Sequence, residues 1–155
     1  MTGMPFCISV VCVGKDNDEF AGAIGHYLRL IGPYTRLHVD LVKPVSASAG
    51  SVKSMEGERL LKRSPPGAWA VALEAGGRQY DSRGFAAWMG HRRQQGTGLV
   101  FFIGGAYGLS DEVVGASRET ISLSPLTFSH RLCMAVFLEQ VYRAFTILNN
   151  HPYHK

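Results

Sequence analysis

LVFFIGGAYGLSDEVV, residues 99–114, decides how the rest of the chain is read. Five apolar residues, Leu99–Ile103, run without a polar interruption into Gly104 and Gly105; Gly108 follows, then Ser110 ahead of Asp111 and Glu112. An unbroken apolar run belongs to a strand covered on both faces, as in parallel sheets flanked by helices. Glycines at its end mark a backbone that turns tightly or is closely approached, and a serine before two acids starts a helix. Strand, glycine turn and helix form the repeating unit of an α/β domain, whose strands hold ligands at their carboxyl ends.

The same alternation extends in both directions. Phe6–Val13 (FCISVVCV) reads as a buried strand, and Asn17–Ile31 as a helix with Phe20, Ala23, Ile24, Tyr27, Leu28 and Ile31 at spacings of three and four. Gly32 and Pro33 stop that helix. Tyr34–Val42 alternates as a strand, Lys43–Ser51 (KPVSASAGS) is a loop, and Val52–Lys62 is a helix. Ala68–Leu73 is a strand, Ser82–Gln95 and Asp111–Ala116 are helices, Thr120–Leu123 is the last strand and His130–Leu148 the last helix. The pattern predicts an α/β fold with a mainly parallel sheet and flanking helices. The loop at 43–51 is too short to separate a pair of domains, so residues 1–155 are expected to form one.

Composition narrows the function classes. A formal charge of +4 permits a polyanionic partner without requiring one. No apolar stretch suits a bilayer span, since even 130–148 is interrupted by Glu139, Gln140 and Arg143. The first strand lacks the basic start and cleavage site of a signal peptide, so the protein is expected to be cytoplasmic, with no membrane partner. Cys7, Cys12 and Cys133 each sit in apolar context and are expected as buried reduced thiols.

Gly104–Gly108 has no partner motif for the common phosphate ligands. The sole Gly-Lys pair, Gly14–Lys15, continues into Asp16, which excludes a phosphate loop. The turn after the first strand has one glycine, which removes the main support for a dinucleotide fingerprint and a nicotinamide oxidoreductase. A Gly-x-Ser-x-Gly elbow is absent. Two further strand ends resemble the glycine turn: Leu73-Glu74-Ala75-Gly76-Gly77, and Ser122 through Phe128 (SLSPLTF). Turns of this kind offer backbone N–H and C=O groups to a planar base; the plain alternative is three ordinary strand exits.

Two features at the end of the chain stand out. His130–Leu148 is apolar around most of its circumference, with Glu139, Arg143 and Thr146 keeping one polar face. This spare surface points to a second subunit in a twofold dimer, the alternative being a helix sunk deeper in its own core. Behind it Asn149–Lys155 (NNHPYHK) packs two histidines, a tyrosine and a lysine into five residues. His151 and His154 lack a third ligand at a supporting spacing, so no metal is expected.

The stretches FFIGGAYGLS, LSPLTFSHRL and EQVYRAFTILNNHPYHK, with GERLL at 57–61 and VALEAGG at 71–77, together resemble one family. They are similar to the RlmH (YbeA-like) branch of the SPOUT methyltransferases, which methylate N3 of a pseudouridine in 23S ribosomal RNA. The resemblance covers essentially the whole chain. It implies a trefoil-knotted α/β domain that binds S-adenosylmethionine in a bent form, an exception to unthreaded topology. Cofactor contacts carry over to Leu73, Gly105 and the run Ser124, Pro125, Leu126, Thr127, Phe128 and Ser129.

The family is homodimeric, with a site completed across the interface. Tyr153, His154 and Lys155 are therefore expected near the methyl donor of the partner. The imide nitrogen must lose its proton as it takes the methyl group, which makes His154 the candidate base and Lys155 the candidate for charge stabilisation or phosphate contact. Arg92, Arg93, Arg131 and Arg143 are the candidate contacts to ribosomal RNA or the ribosome. The stretch 28–54 carries fewer cations than the family leads one to expect, which puts RNA contacts from that region in doubt and leaves recognition by shape. Alternatives are a knotted-fold methyltransferase for another base, or a ribosome assembly factor without catalysis; the intact glycine turn, SPLTFS and HPYHK argue against the latter.

Overall fold

The two apolar runs at the start and centre of the chain pair with each other. The computed structural model describes residues 5–15 and 19–155. In chain order its elements are β1 (Cys7–Val13), α1 (Ala21–Ile31), β2 (Arg36–Val42), α2 (Ala49–Lys62), β3 (Trp69–Gln79), α3 (Ser82–Gln95), β4 (Leu99–Ile103), α4 (Asp111–Ala116), β5 (Glu119–Ser122) and α5 (His130–Leu148). The sheet runs β2-β1-β4-β3-β5 with every neighbouring pair parallel. All strands therefore end on one side, where their turns gather.

Alternation along the central strands divides the core into two layers. Val10, Cys12, Phe101 and Ile103 face α1, α3 and α5, joined by Ile24, Met89, Met134, Phe137 and Phe145. Val11, Val13, Val100 and Phe102 face α2 and α4, joined by Leu60 and Val113. Phe101, Phe102, Phe137 and Phe145 are fully buried, and each such burial stabilises the fold by about 1.5–3 kcal/mol.

The structure revises several boundaries. β3 runs to Gln79 rather than ending at Leu73, with a register shift against β5 between Leu73 and Arg78. A Cβ on Gly77 would lie 2.7 Å from the backbone of Thr120; the glycine pair that reads as an exit in fact lets the bulged strand lie against β5. α2 begins at Ala49, so the loop closes at Ser48, the residue before the first helical turn. The expected start of α1 at Asn17 falls outside the described residues.

α5 lies against both α1 and α3, and Met134, Phe137, Leu138, Val141, Ala144 and Phe145 are buried within its own chain. Its own core thus takes up much of the apolar circumference. Leu132 and Val136 remain, half-buried and outside the core cluster.

Candidate active site

The bulged middle of β3 and the turns after β4 and β5 surround a cavity of about 810 Å³. β3 contributes Leu73, Glu74, Ala75 and Gly76; β4 contributes Ile103 through Leu109; the third wall is Leu123, Ser124 and Leu126 through His130, with Cys133 from the first turn of α5. Leu73, Gly105, Ser124, Leu126, Thr127, Phe128 and Ser129 thus come together as wall residues, while Pro125 sits exposed in the same loop without lining the cavity. Sequence reasoning missed His130 and Cys133 as wall residues, because both read as ordinary positions of the long helix.

The glycine turn is shaped by its own backbone. A Cβ on Gly104 would lie 2.5 Å from the carbonyl carbon of Gly108. Gly108 N–H donates to Gly105 O at 3.0 Å, and Gly108 has φ +82°, a left-handed conformation that favours glycine. Ser110 then caps α4, its Oγ accepting from Val113 N–H at 3.3 Å. In the third wall Ser122 Oγ donates to Ser124 O at 2.9 Å and Ser124 Oγ accepts from Leu126 N–H at 3.0 Å, which fixes the serine-proline turn.

Beneath the glycine turn lies Glu56 of α2, 3% exposed. Its Oε2 accepts from Val45 N–H at 3.1 Å, while Oε1 is buried with no hydrogen-bond donor. A Cβ on Gly105 would stand 2.7 Å from that Oε1. The sequence carried a signal for it, since Val52, Glu56 and Leu60 occupy one helical stripe with an acid at its centre.

The chain's tail forms a separate cluster on α5. Glu139 Oε1 accepts from Arg143 Nη2 at 2.5 Å and from the Tyr153 hydroxyl at 2.8 Å. Arg143 also lies over the Tyr153 ring, 4.8 Å from its centroid, and donates through Nη1 to His154 Nδ1 at 3.1 Å. A guanidinium only donates, so Nδ1 is the acceptor and the neutral ring carries its hydrogen on Nε2. Burial, then the bond to Glu139, pushes the Tyr153 hydroxyl up to about 12; the bond to Glu139 likewise raises Arg143. His151 is held by the Tyr34 hydroxyl at Nδ1 and donates its backbone N–H to Thr146 O at 2.9 Å. Lys155 is exposed.

None of Glu139, Arg143, Tyr153, His154 or Lys155 lines the cavity. At 1.5 Å per residue, Arg143 lies about 20 Å along α5 from His130. Cavity and tail therefore stand at different stations of one helix.

Comparison with known proteins settles the class. Residues 6–154 match the family described as "Predicted SPOUT methyltransferase". Ribosomal RNA large subunit methyltransferase H of Pelobacter propionicus is 44% identical over 150 residues, covering 95% of this chain and 98% of that protein. The chain belongs to the RlmH branch of the SPOUT methyltransferases. The protein of the same name from Parabacteroides distasonis is 37% identical, again covering 95% of this chain and 98% of that one. The fold is also that of a probable methylase family protein from Haemophilus influenzae, with a TM-score of 0.56 and 16% identity over 96% of this chain and 70% of that chain. A probable methyltransferase from Bordetella pertussis gives a TM-score of 0.54 at 16% identity over 89% of this chain and 95% of that one.

The charges of this SPOUT methyltransferase are distributed unevenly around the site. A smaller cavity of about 350 Å³, lined among others by Lys15, Phe20, Pro44 and Arg131, shares Ser129 and His130 with the larger one. Arg131 is 8% exposed, its stem against Gly14. Arg92 lies over the Trp69 ring at 4.1 Å, Arg143 is engaged by the tail, and Arg93 stands exposed. Cys133 is half-buried in the cavity wall, and burial pushes its thiol up to about 11, away from the thiolate form. Among the described residues no cysteine is in a disulfide, no three His, Cys, Asp or Glu come together to hold a metal, and no helix is long and apolar enough to cross a membrane.

Proposed function

We propose that this enzyme methylates N3 of a pseudouridine in 23S ribosomal RNA with S-adenosylmethionine, in a homodimer whose sites combine the cavity of one chain with the tail of the other. The observation that carries the reading is the separation of the two halves: the cavity has walls for a nucleoside, and the tail has the polar groups. The cavity walls fit the cofactor. They offer backbone from glycine and serine turns, apolar faces from Leu73, Ile103, Leu109 and Phe128, and no lysine or arginine that a phosphate ligand would call for. The buried Glu56 beside Gly105 supplies negative charge for a ligand that is cationic. When bound there, S-adenosylmethionine would supply an electrophilic methyl, its S–C bond breaking as the N3–C bond forms, the neutral thioether leaving and the N3 proton passing to water.

The remaining work falls to side chains. Glu139 and Arg143 hold Tyr153 and His154 in place, and Lys155 reaches outward as a cation. With Arg143 on Nδ1, His154 presents Nε2–H as a donor to oxygen charge developing on the imide, and takes a proton only where Arg143 releases Nδ1. Arg131 and Lys15 in the adjoining small cavity, with exposed Arg93, are the first cations for the RNA backbone, whereas Arg92 is held on Trp69 and Arg143 by the tail. Leu132 and Val136, outside the core cluster, and Leu126, 72% exposed at the cavity rim, suit the dimer contact. The threading implied by the family resemblance belongs to the same reading.

The test is incubation with methyl-labelled S-adenosylmethionine and ribosomes, separated subunits or bare RNA, followed by mapping of the label. Label on N3 of a single pseudouridine of the large-subunit RNA is expected. Label on another base would reassign the substrate, and cofactor binding without transfer to any of the three would favour an assembly factor.

A further inference from the structure

A carboxylate buried alone is unusual, because removing its charge from water is costly unless a cation or hydrogen-bond donors replace the solvent. Glu56 has one donor, Val45 N–H at 3.1 Å, for its two oxygens. Among the described residues it makes no ion pair, and its Oε1 is left without a partner. That oxygen faces Gly105, where a Cβ would come within 2.7 Å of it. Gly105 lines the large cavity while Glu56 does not, so the carboxylate sits behind the wall, held from solvent by the turn itself. A charge in that position acts on the cavity through protein rather than through water, and its sign favours a cation. Glu74, which lines the same cavity, is half exposed and therefore screened.

We propose that Glu56 is the counter-charge of the cofactor's sulfonium, making this site prefer the cationic methyl donor over the neutral thioether that remains after transfer. The inference rests on the reading of the cavity as an S-adenosylmethionine site. Donor and product differ by one methyl and one positive charge, so a fixed anion behind the wall separates them without touching either. The same charge would ease product departure, because the attraction ends when the sulfur becomes neutral.

The experiment is calorimetric titration of the full-length protein and Glu56→Gln with S-adenosylmethionine, S-adenosylhomocysteine and sinefungin, whose ammonium carries the charge in place of the sulfonium. The glutamine oxygen still accepts Val45 N–H, so the contact to the loop is kept. A unit charge buried within roughly 10 Å of a ligand cation changes affinity by about tenfold. The ratio of donor to product dissociation constants is expected to rise about that much in Glu56→Gln, with sinefungin following the donor. Equal weakening of all three ligands would reduce Glu56 to a prop for the turn and overturn the inference, as would an unchanged ratio. Should Glu56→Gln not fold, Glu56→Met removes the charge at similar volume and is expected to raise the ratio by the same factor of about ten; an unchanged ratio there overturns the inference equally. If the unmodified protein binds neither donor nor product, the cofactor reading itself falls and takes the inference with it; if it binds both and only the ratio fails to move, the cofactor reading stands.

Discussion

Replacing Gly105 by alanine tests the turn from which the site is built. The added Cβ would stand 2.7 Å from Glu56 Oε1, 3.3 Å from Oε2 and 3.1 Å from Val13 Cγ1. Glu56 is tied to Val45 N–H and Val13 is buried in β1, so neither neighbour moves freely and the turn must lift into the cavity. Overpacking of this kind costs about 1–3 kcal/mol. If that cost is met by displacing the turn, S-adenosylmethionine affinity falls by about 10- to 100-fold, since about 1.4 kcal/mol is a factor of ten. The melting temperature falls by about 2–12 °C, at roughly 2–4 °C per kcal/mol for a chain of this size. Calorimetry for the ligand, far-ultraviolet circular dichroism for the fold and a thermal melt make up the assay. Because the crowding is shared with Glu56, Gly105→Ala combined with Glu56→Ala should recover some of the lost melting temperature relative to Gly105→Ala alone. Ligand affinity of Gly105→Ala within about twofold of the unmodified protein would refute the geometry argued for the turn.

Two further outcomes follow from the same structure. The Cys133 and Tyr153 groups are pushed up to about 11 and about 12 in the folded chain; with folded values above unfolded ones, their contribution is fully present below the unfolded values, about 8.5 and 10, and is lost as pH rises towards the folded ones. Thermal melts should show stability declining through that alkaline window, and Glu139→Gln should make the Tyr153 share of the decline smaller and complete at lower pH, with the folded-state phenolate absorbance rising at correspondingly lower pH. Val136→Glu places a charge on the stretch of α5 that its own core leaves half covered, and sedimentation should show monomers with unchanged circular dichroism; a dimer that persists would move the interface elsewhere.

The order and type of the elements were legible because each carries its period. Val10 and Cys12 against Val11 and Val13, or Ile24, Tyr27 and Ile31 at helical spacing, leave little choice, and Leu99–Ile103 with no polar residue reads as a strand covered on both faces; its central place in the sheet came from the structure. What the sequence concealed depends on partners far along the chain. Gly76 and Gly77 look like an exit until Thr120 is seen pressed against Gly77. Glu139 and Arg143 look like a helical surface pair, yet Glu139 also receives Tyr153 and Arg143 reaches His154. Arg92 looks like a free cation and instead lies on Trp69. The cavity walls after β4 and β5 were readable because parallel strands end on one side; the place of the tail was not, since nothing local says whether it works with the cavity of its own chain or with that of a second copy.

That question is answered most directly by mixed dimers. Gly105→Val spoils the cavity of one chain and leaves its tail intact, whereas the double variant His154→Ala, Lys155→Ala spoils the tail and leaves the cavity. Each alone should be inactive in methyl transfer to ribosomes. Co-expressed in equal amounts, they should regain roughly a quarter of the activity, because half the dimers are mixed and each mixed dimer holds one complete site of two. If cavity and tail served the same chain, every site in the mixture would carry a defect, and no activity at all would return.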